Sequence, residues 1–135
     1  MNAELFYLIW VTILTGVLWI PYILDRFARW GITDTVGYPS NPKPQSPWAA
    51  RMMKAHANAV ENLVIFATLV LVAHAAGISN ALIVGACAIF FWARLVHAIA
   101  YTFSVPWVRT LAFVVGFCAQ AVIAWQLLTG SGAAA

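Results

Sequence analysis

Charge is what this chain has least of. Only 4 acidic and 7 basic side chains occur in 135 residues, 8% of the total, where soluble domains carry about 25%. With 64% hydrophobic residues and a mean hydropathy of +0.88, that scarcity excludes a water-soluble globular domain. Cysteine is limited to Cys87 and Cys118, each set among Ala, Ile, Phe and Val and neither in a metal-ligand spacing. Both read as small core residues of low reactivity. There is no internal repeat or heptad array, and low complexity is confined to the tail Gly130 to Ala135, which reads as mobile. The first apolar run has no small-residue cleavage site and is of spanning length, so it reads as a retained helix.

What is present is hydrocarbon-like sequence in four blocks: Leu5 to Leu24, Trp48 to Ala76, Ala81 to Tyr101 and Val108 to Leu128. Each is long enough to cross a bilayer at about 1.5 Å per residue. Arg26, Arg29, Lys43, Arg51, Lys54, Arg94 and Arg109 all fall in, or on helix ends facing, the first and third connections. By the positive-inside rule those connections are cytoplasmic and both termini lie outside the cytoplasm. The net charge of +3 follows from this topology and does not point to nucleic acid. Pro39, Pro42 and Pro44 make the first connection, Asp25 to Ser46, a non-helical loop. Ser46-Pro47 reads as an N-cap followed by a first-turn proline. Gly77 to Asn80 and Ser104-Val-Pro106 are tight stops. The fold class is therefore an all-α membrane protein, an up-down bundle of four transmembrane helices in a single domain over residues 1–135. Trp30, Trp48 and Trp107 fit an interfacial belt, whereas Trp10, Trp19, Trp92 and Trp125 read as packing or lipid contacts.

The polar residues that remain are not scattered. The apolar run Leu63 to Ala76 is too short to span alone, since a crossing needs about 20 residues. The second span must begin near Ala55 or earlier, which puts Asn58, Glu61 and Asn62 below the membrane surface. At 100° per residue, Arg51, Asn58 and Asn62 fall within about 40° of one another, with Lys54 and Glu61 about 60 to 80° to one side and His56 nearly opposite. Arg94, His97 and Tyr101 form a second stripe on the third span, with Arg94 roughly 10 Å deeper than Tyr101. An arginine stays charged at ordinary pH and needs a buried anion. Glu61 is the only acidic residue inside one of the four runs, so the reading pairs Arg94 with Glu61 across the second and third spans. Arg51, Lys54, Arg94 and Arg109 outnumber that one carboxylate, which points to a pocket for an anionic ligand. Taken singly, each feature has a structural explanation: an ion pair locking two helices, asparagines bonding between helices, and Tyr101 and Arg109 anchored at the interface.

The segments Arg51-Met-Met-Lys-Ala-His-Ala-Asn-Ala-Val-Glu-Asn62 and Ala93-Arg-Leu-Val-His-Ala-Ile-Ala-Tyr101 resemble the two signature segments of the MAPEG family, the membrane-associated proteins in eicosanoid and glutathione metabolism. Length, four spans, a long first loop and motif order match as well. The resemblance implies a homotrimer with glutathione as co-substrate, bound between subunits at the cytoplasmic side, and a lipophilic electrophile arriving from the membrane lipids. It implies that Arg51, Asn58 and Glu61 hold the tripeptide, with Lys54 and His56 beside them. Arg94, His97 and Tyr101 complete the pocket, and Arg26 or Arg29 serves a carboxylate from the adjacent subunit. Arg109 is similar in placement to the arginine that activates the thiol, because a nearby guanidinium favours the nucleophilic thiolate.

Lys54 stands where many members of that family have arginine, and Ala57 and Ala98 replace polar residues of the prostaglandin synthase. His97 replaces a tyrosine of leukotriene C synthase. A generalist glutathione transferase or peroxidase remains, with the short loops suggesting a bacterial inner-membrane protein. The alternative from a different class is a non-enzymatic membrane subunit, a partner- or lipid-binding scaffold of the same fold.

Overall fold

The computed structural model describes residues 1–130; the rest of the tail read as mobile lies outside the described residues. Five helical segments make four apolar crossings. The first crossing is α1 (Ala3–Val17) followed by α2 (Trp19–Val36). They part at Leu18, where Pro21 cannot donate a hydrogen bond to the Val17 carbonyl. Leu18 itself keeps helical dihedrals, so the two form one 34-residue span. This corrects the reading of residues 25–46 as wholly non-helical. The prolines begin only at Pro39, and the helix persists to Val36 through a bend at Gly31, whose φ of 77° suits a residue without a Cβ.

The third segment, α3 (Pro47–Ala76), starts with its proline in the first turn, where a missing N–H costs nothing. Ser46 precedes it but does not cap it. Its hydroxyl and backbone N–H both turn to the Asp25 carboxylate, and the hydroxyl also accepts from Arg29 Nε at 2.7 Å. At the other end Gly77 is left-handed and Ile78 N–H donates to the Ala73 carbonyl at 2.9 Å, satisfying an orphan carbonyl of the last turn. Asn80 then caps α4 (Ala81–Thr102) by accepting from Ile83 N–H. The stop after α4 has the same hydrogen-bond pattern, Val105 N–H to the Ala100 carbonyl at 2.9 Å, with Ser104 in the left-handed position at φ 64°. Pro106 opens α5 (Pro106–Thr129).

The two halves of the bundle differ. Away from the basic end, Val11, Phe66, Val70, Ile83, Cys87, Phe90 and Ile123 form the apolar core, with the Phe66 and Phe90 rings stacked at 4.1 Å. At that same end Ser79 Oγ donates to Glu4, and Asn80 Nδ2 donates to Gln126 Oε1 at 2.7 Å. Glu4 is only 2% exposed, so Glu61 is not the sole acidic residue within a crossing. Towards the basic end the buried positions are mostly small: Ala49, Ala55, Ala59, Ala93, Ala98, Ala100 and Ala112. Small residues let helix backbones approach and leave room for polar side chains between them. Cys118 is exposed on α5 and is not the core residue its surroundings suggested.

The two helix stops give opposite expectations. A side chain at positive φ is strained by about 1 kcal/mol, so Ser104→Gly raises the thermal-unfolding midpoint in detergent, whereas Gly77→Ala lowers it by an equivalent of about 1 kcal/mol.

Candidate functional site

Arg94 is carried by α4 into the interior and is 4% exposed. Its stem runs beside Gly116 of α5, where even a Cβ would stand 3.8 Å from Arg94 Cδ. Its Nη2 donates to Asn58 Oδ1 of α3 at 2.7 Å, and its Nε has no partner among the described residues. The expected pairing with Glu61 is not formed. Glu61 is exposed, and among the described residues the only salt bridge is Arg29 to Asp25 at 3.8 Å. The reason is angular. Glu61 lies about 60° around α3 from Asn58, and it is the asparagine edge of the stripe that faces α4 and α5.

That edge is tied along its length. Arg51 Nε donates to the Thr102 carbonyl at 2.9 Å, a cation at the C-terminal end of α4 where the helix dipole favours it. Asn62 Nδ2 donates to the Asn58 carbonyl at 2.9 Å and to Asn58 Oδ1 at 3.3 Å. Gln120 of α5, 4% exposed, donates from Nε2 to the Asn62 carbonyl at 3.1 Å. Gln120 was not singled out from the sequence, although an amide in the apolar middle of α5 must find a partner in the bundle. The other edge of the stripe, Lys54 and Glu61, is exposed.

Between α4 and α5, His97, Tyr101, Arg109, Thr110 and Phe113 line a cleft of about 200 Å³. The Arg109 guanidinium lies 4.9 Å from the Tyr101 ring centroid, a cation–π contact. His97 is 3% exposed, its ring 5.6 Å from that of Tyr101, and its Nδ1 has no partner. Arg94 Nε and His97 Nδ1, with Arg26 Nε on α2, are thus three buried nitrogens without a hydrogen-bond partner among the described residues, which is unusual for interior polar atoms.

The remaining candidates sit elsewhere. His56 faces α2, its Nδ1 2.7 Å from the Tyr22 hydroxyl. Arg26 lies over the Trp30 ring at 4.9 Å and reaches Met53 Sδ at 3.6 Å. Arg29 is occupied by Asp25 and Ser46. Among the described residues, no hydrogen bond, ion pair or ring contact joins these three to the Lys54–Asn58–Glu61 edge or to the Arg109 cleft, so Arg26, Arg29 and His56 do not form one site with them.

Four crossings thus carry a buried arginine held by Asn58 of the Arg51-to-Asn62 segment and, beside it, a histidine–tyrosine–arginine cleft. The model of the MAPEG family matches residues 7–129. The chain belongs to the MAPEG family. No curated protein and no solved structure matches it. As a MAPEG protein it is a multi-pass membrane protein of the family concerned with glutathione and eicosanoid metabolism. Both signature segments of this MAPEG chain lie inside the matched region, on α3 and α4.

The Arg94–Asn58 contact has a measurable signature. Asn58→Leu leaves a buried guanidinium without its acceptor and lowers stability by about 2–3 kcal/mol. Adding Arg94→Met recovers most of that loss, because the stranded charge is then gone. Glu61→Gln, which breaks no ion pair, stays within about 0.5 kcal/mol. Unfolding of the four proteins in detergent measures all three.

Proposed function

We propose that this protein is a glutathione-dependent membrane transferase, with peroxidase turnover as a related outcome of the same thiolate chemistry. One observation carries the reading. Lys54 and Glu61 are exposed on one face of a membrane-crossing helix, beside Asn58, with no ionic partner among the described residues. Hydrocarbon rejects such a face, at about 2.5 to 3.5 kcal/mol per charge near the helix centre. A zwitterionic tripeptide satisfies it: Lys54 for a carboxylate, Glu61 for an ammonium group and Asn58 for a carbonyl or carboxylate oxygen. A neighbouring copy in a homotrimer covers what the ligand does not, and Arg26, whose Nε has no partner, is a better candidate than the occupied Arg29 to reach across such an interface.

The thiol end of the tripeptide enters the cleft of His97, Tyr101 and Arg109. A guanidinium there favours thiolate over thiol. Contact with the Tyr101 ring restricts where the Arg109 charge can sit, and placing the charge in advance is what makes it effective in a water-poor cleft. The thiolate attacks the carbon of a lipophilic electrophile from the bilayer, a sulfur–carbon bond forms and the leaving group departs as an anion. The thiol proton passes to water.

Purified protein is expected to conjugate glutathione to a chloronitrobenzene. Arg109→Ala lowers kcat by about 100-fold while glutathione affinity, followed by calorimetry, changes by no more than about twofold. Wild-type turnover in that variant excludes Arg109 from the chemistry. Absence of glutathione binding in the wild type, with copurification of a larger complex, supports the non-enzymatic scaffold instead.

A further inference from the structure

The Asn58 amide has two possible orientations, and the structure leaves it only one. A guanidinium has donors and no acceptor, so the Asn58 atom 2.7 Å from Arg94 Nη2 has to be the oxygen. Asn62 Nδ2 points a second donor at the same Oδ1, at 3.3 Å, while anchored to the Asn58 carbonyl at 2.9 Å. Turning the amide over would set Asn58 Nδ2 against two donors. Asn58 Nδ2 therefore stays on the other side of the amide plane. Among the described residues nothing accepts from it, and it is not one of the sealed, unsatisfied atoms. It is an accessible donor, next to the exposed Lys54–Glu61 edge of the same helix.

We propose that Asn62 is a positioning residue: by donating to Asn58 it holds that side chain with its oxygen on Arg94 and its amide nitrogen free to donate to an oxygen of the bound tripeptide. This role rests on the glutathione reading above. Gln120 supports it by bonding the Asn62 carbonyl from α5, which moors this turn of α3. Arg94 alone would select the amide orientation. Asn62 adds a second donor to the same oxygen, which makes the reversed amide costlier still.

The test replaces the donor without changing its shape. Asn62→Asp puts an acceptor where Asn58 Oδ1 expects a donor at unchanged side-chain size, and thermal stability is measured beside affinity so that a folding defect is seen directly. In full-length protein titrated with reduced glutathione, followed by thiolate absorbance and calorimetry, Asn62→Asp raises the Kd and the glutathione KM about tenfold while kcat at saturation stays within about twofold. Asn62→Gln, which retains the amide donor, returns the Kd to within about threefold of wild type. Wild-type affinity in Asn62→Asp overturns the positioning role alone. A loss of affinity in both variants that follows their loss of thermal stability overturns it as well, in favour of a purely structural residue. If the wild-type protein fails to bind glutathione, both the functional reading and this role fall together, an outcome distinct from the other two.

Discussion

A permanently charged guanidinium held in the interior by a neutral amide is the constraint on which the basic half of this protein depends. Arg94 is buried in a medium where an unpaired cation is costly, and it donates to Asn58 Oδ1 rather than to a carboxylate. That choice fixes the rotation of α3 against α4. It turns the asparagine edge inward, and so leaves Lys54 and Glu61 outward, with no ionic partner among the described residues. Had Arg94 taken Glu61, the stripe would have been consumed within the bundle.

The bundle divides its labour by side-chain size. Phe66, Phe90, Ile83 and Ile123 give one half a dense apolar core, with Glu4, Ser79, Asn80 and Gln126 closing its end. In the other half alanines at the helix contacts hold the backbones close while Arg94, His97 and Asn58 occupy the space between them. The rigid half orients the helices, and the half with small residues carries the polar chemistry. The α2–α3 junction is a third, separate unit, in which Asp25 gathers Ser46 and Arg29 and so sets where α3 begins.

The crossings and both polar stripes were legible because charge is so rare here that its periodicity is not masked. Pro47 and Gly77 marked the ends of α3 for local reasons, a ring without an N–H and a residue tolerant of positive φ. The partners were not legible. Elimination among charges pairs Glu61 with Arg94, but a guanidinium donates to any well-placed oxygen, and the one within reach is the amide oxygen of Asn58. Ser46 looked like a cap, yet its hydroxyl is shared with a carboxylate on another helix. The helix running on to Val36 was hidden because three prolines lie just beyond it.

By itself the sequence determined that the chain crosses a membrane, where its second and third turns fall and which residues share a helix face, since these follow from hydrophobic run length, Gly and Pro stops and the 3.6-residue period. Only the tertiary structure decided which face meets which. It decided that Glu61 is free and Arg94 amide-bound, that His56 belongs to Tyr22, and that Gln120 and Glu4 are interior residues. Those outcomes depend on the rotation of each helix about its own axis, which is set by packing many side chains at once and leaves no signature in the spacing of any single segment.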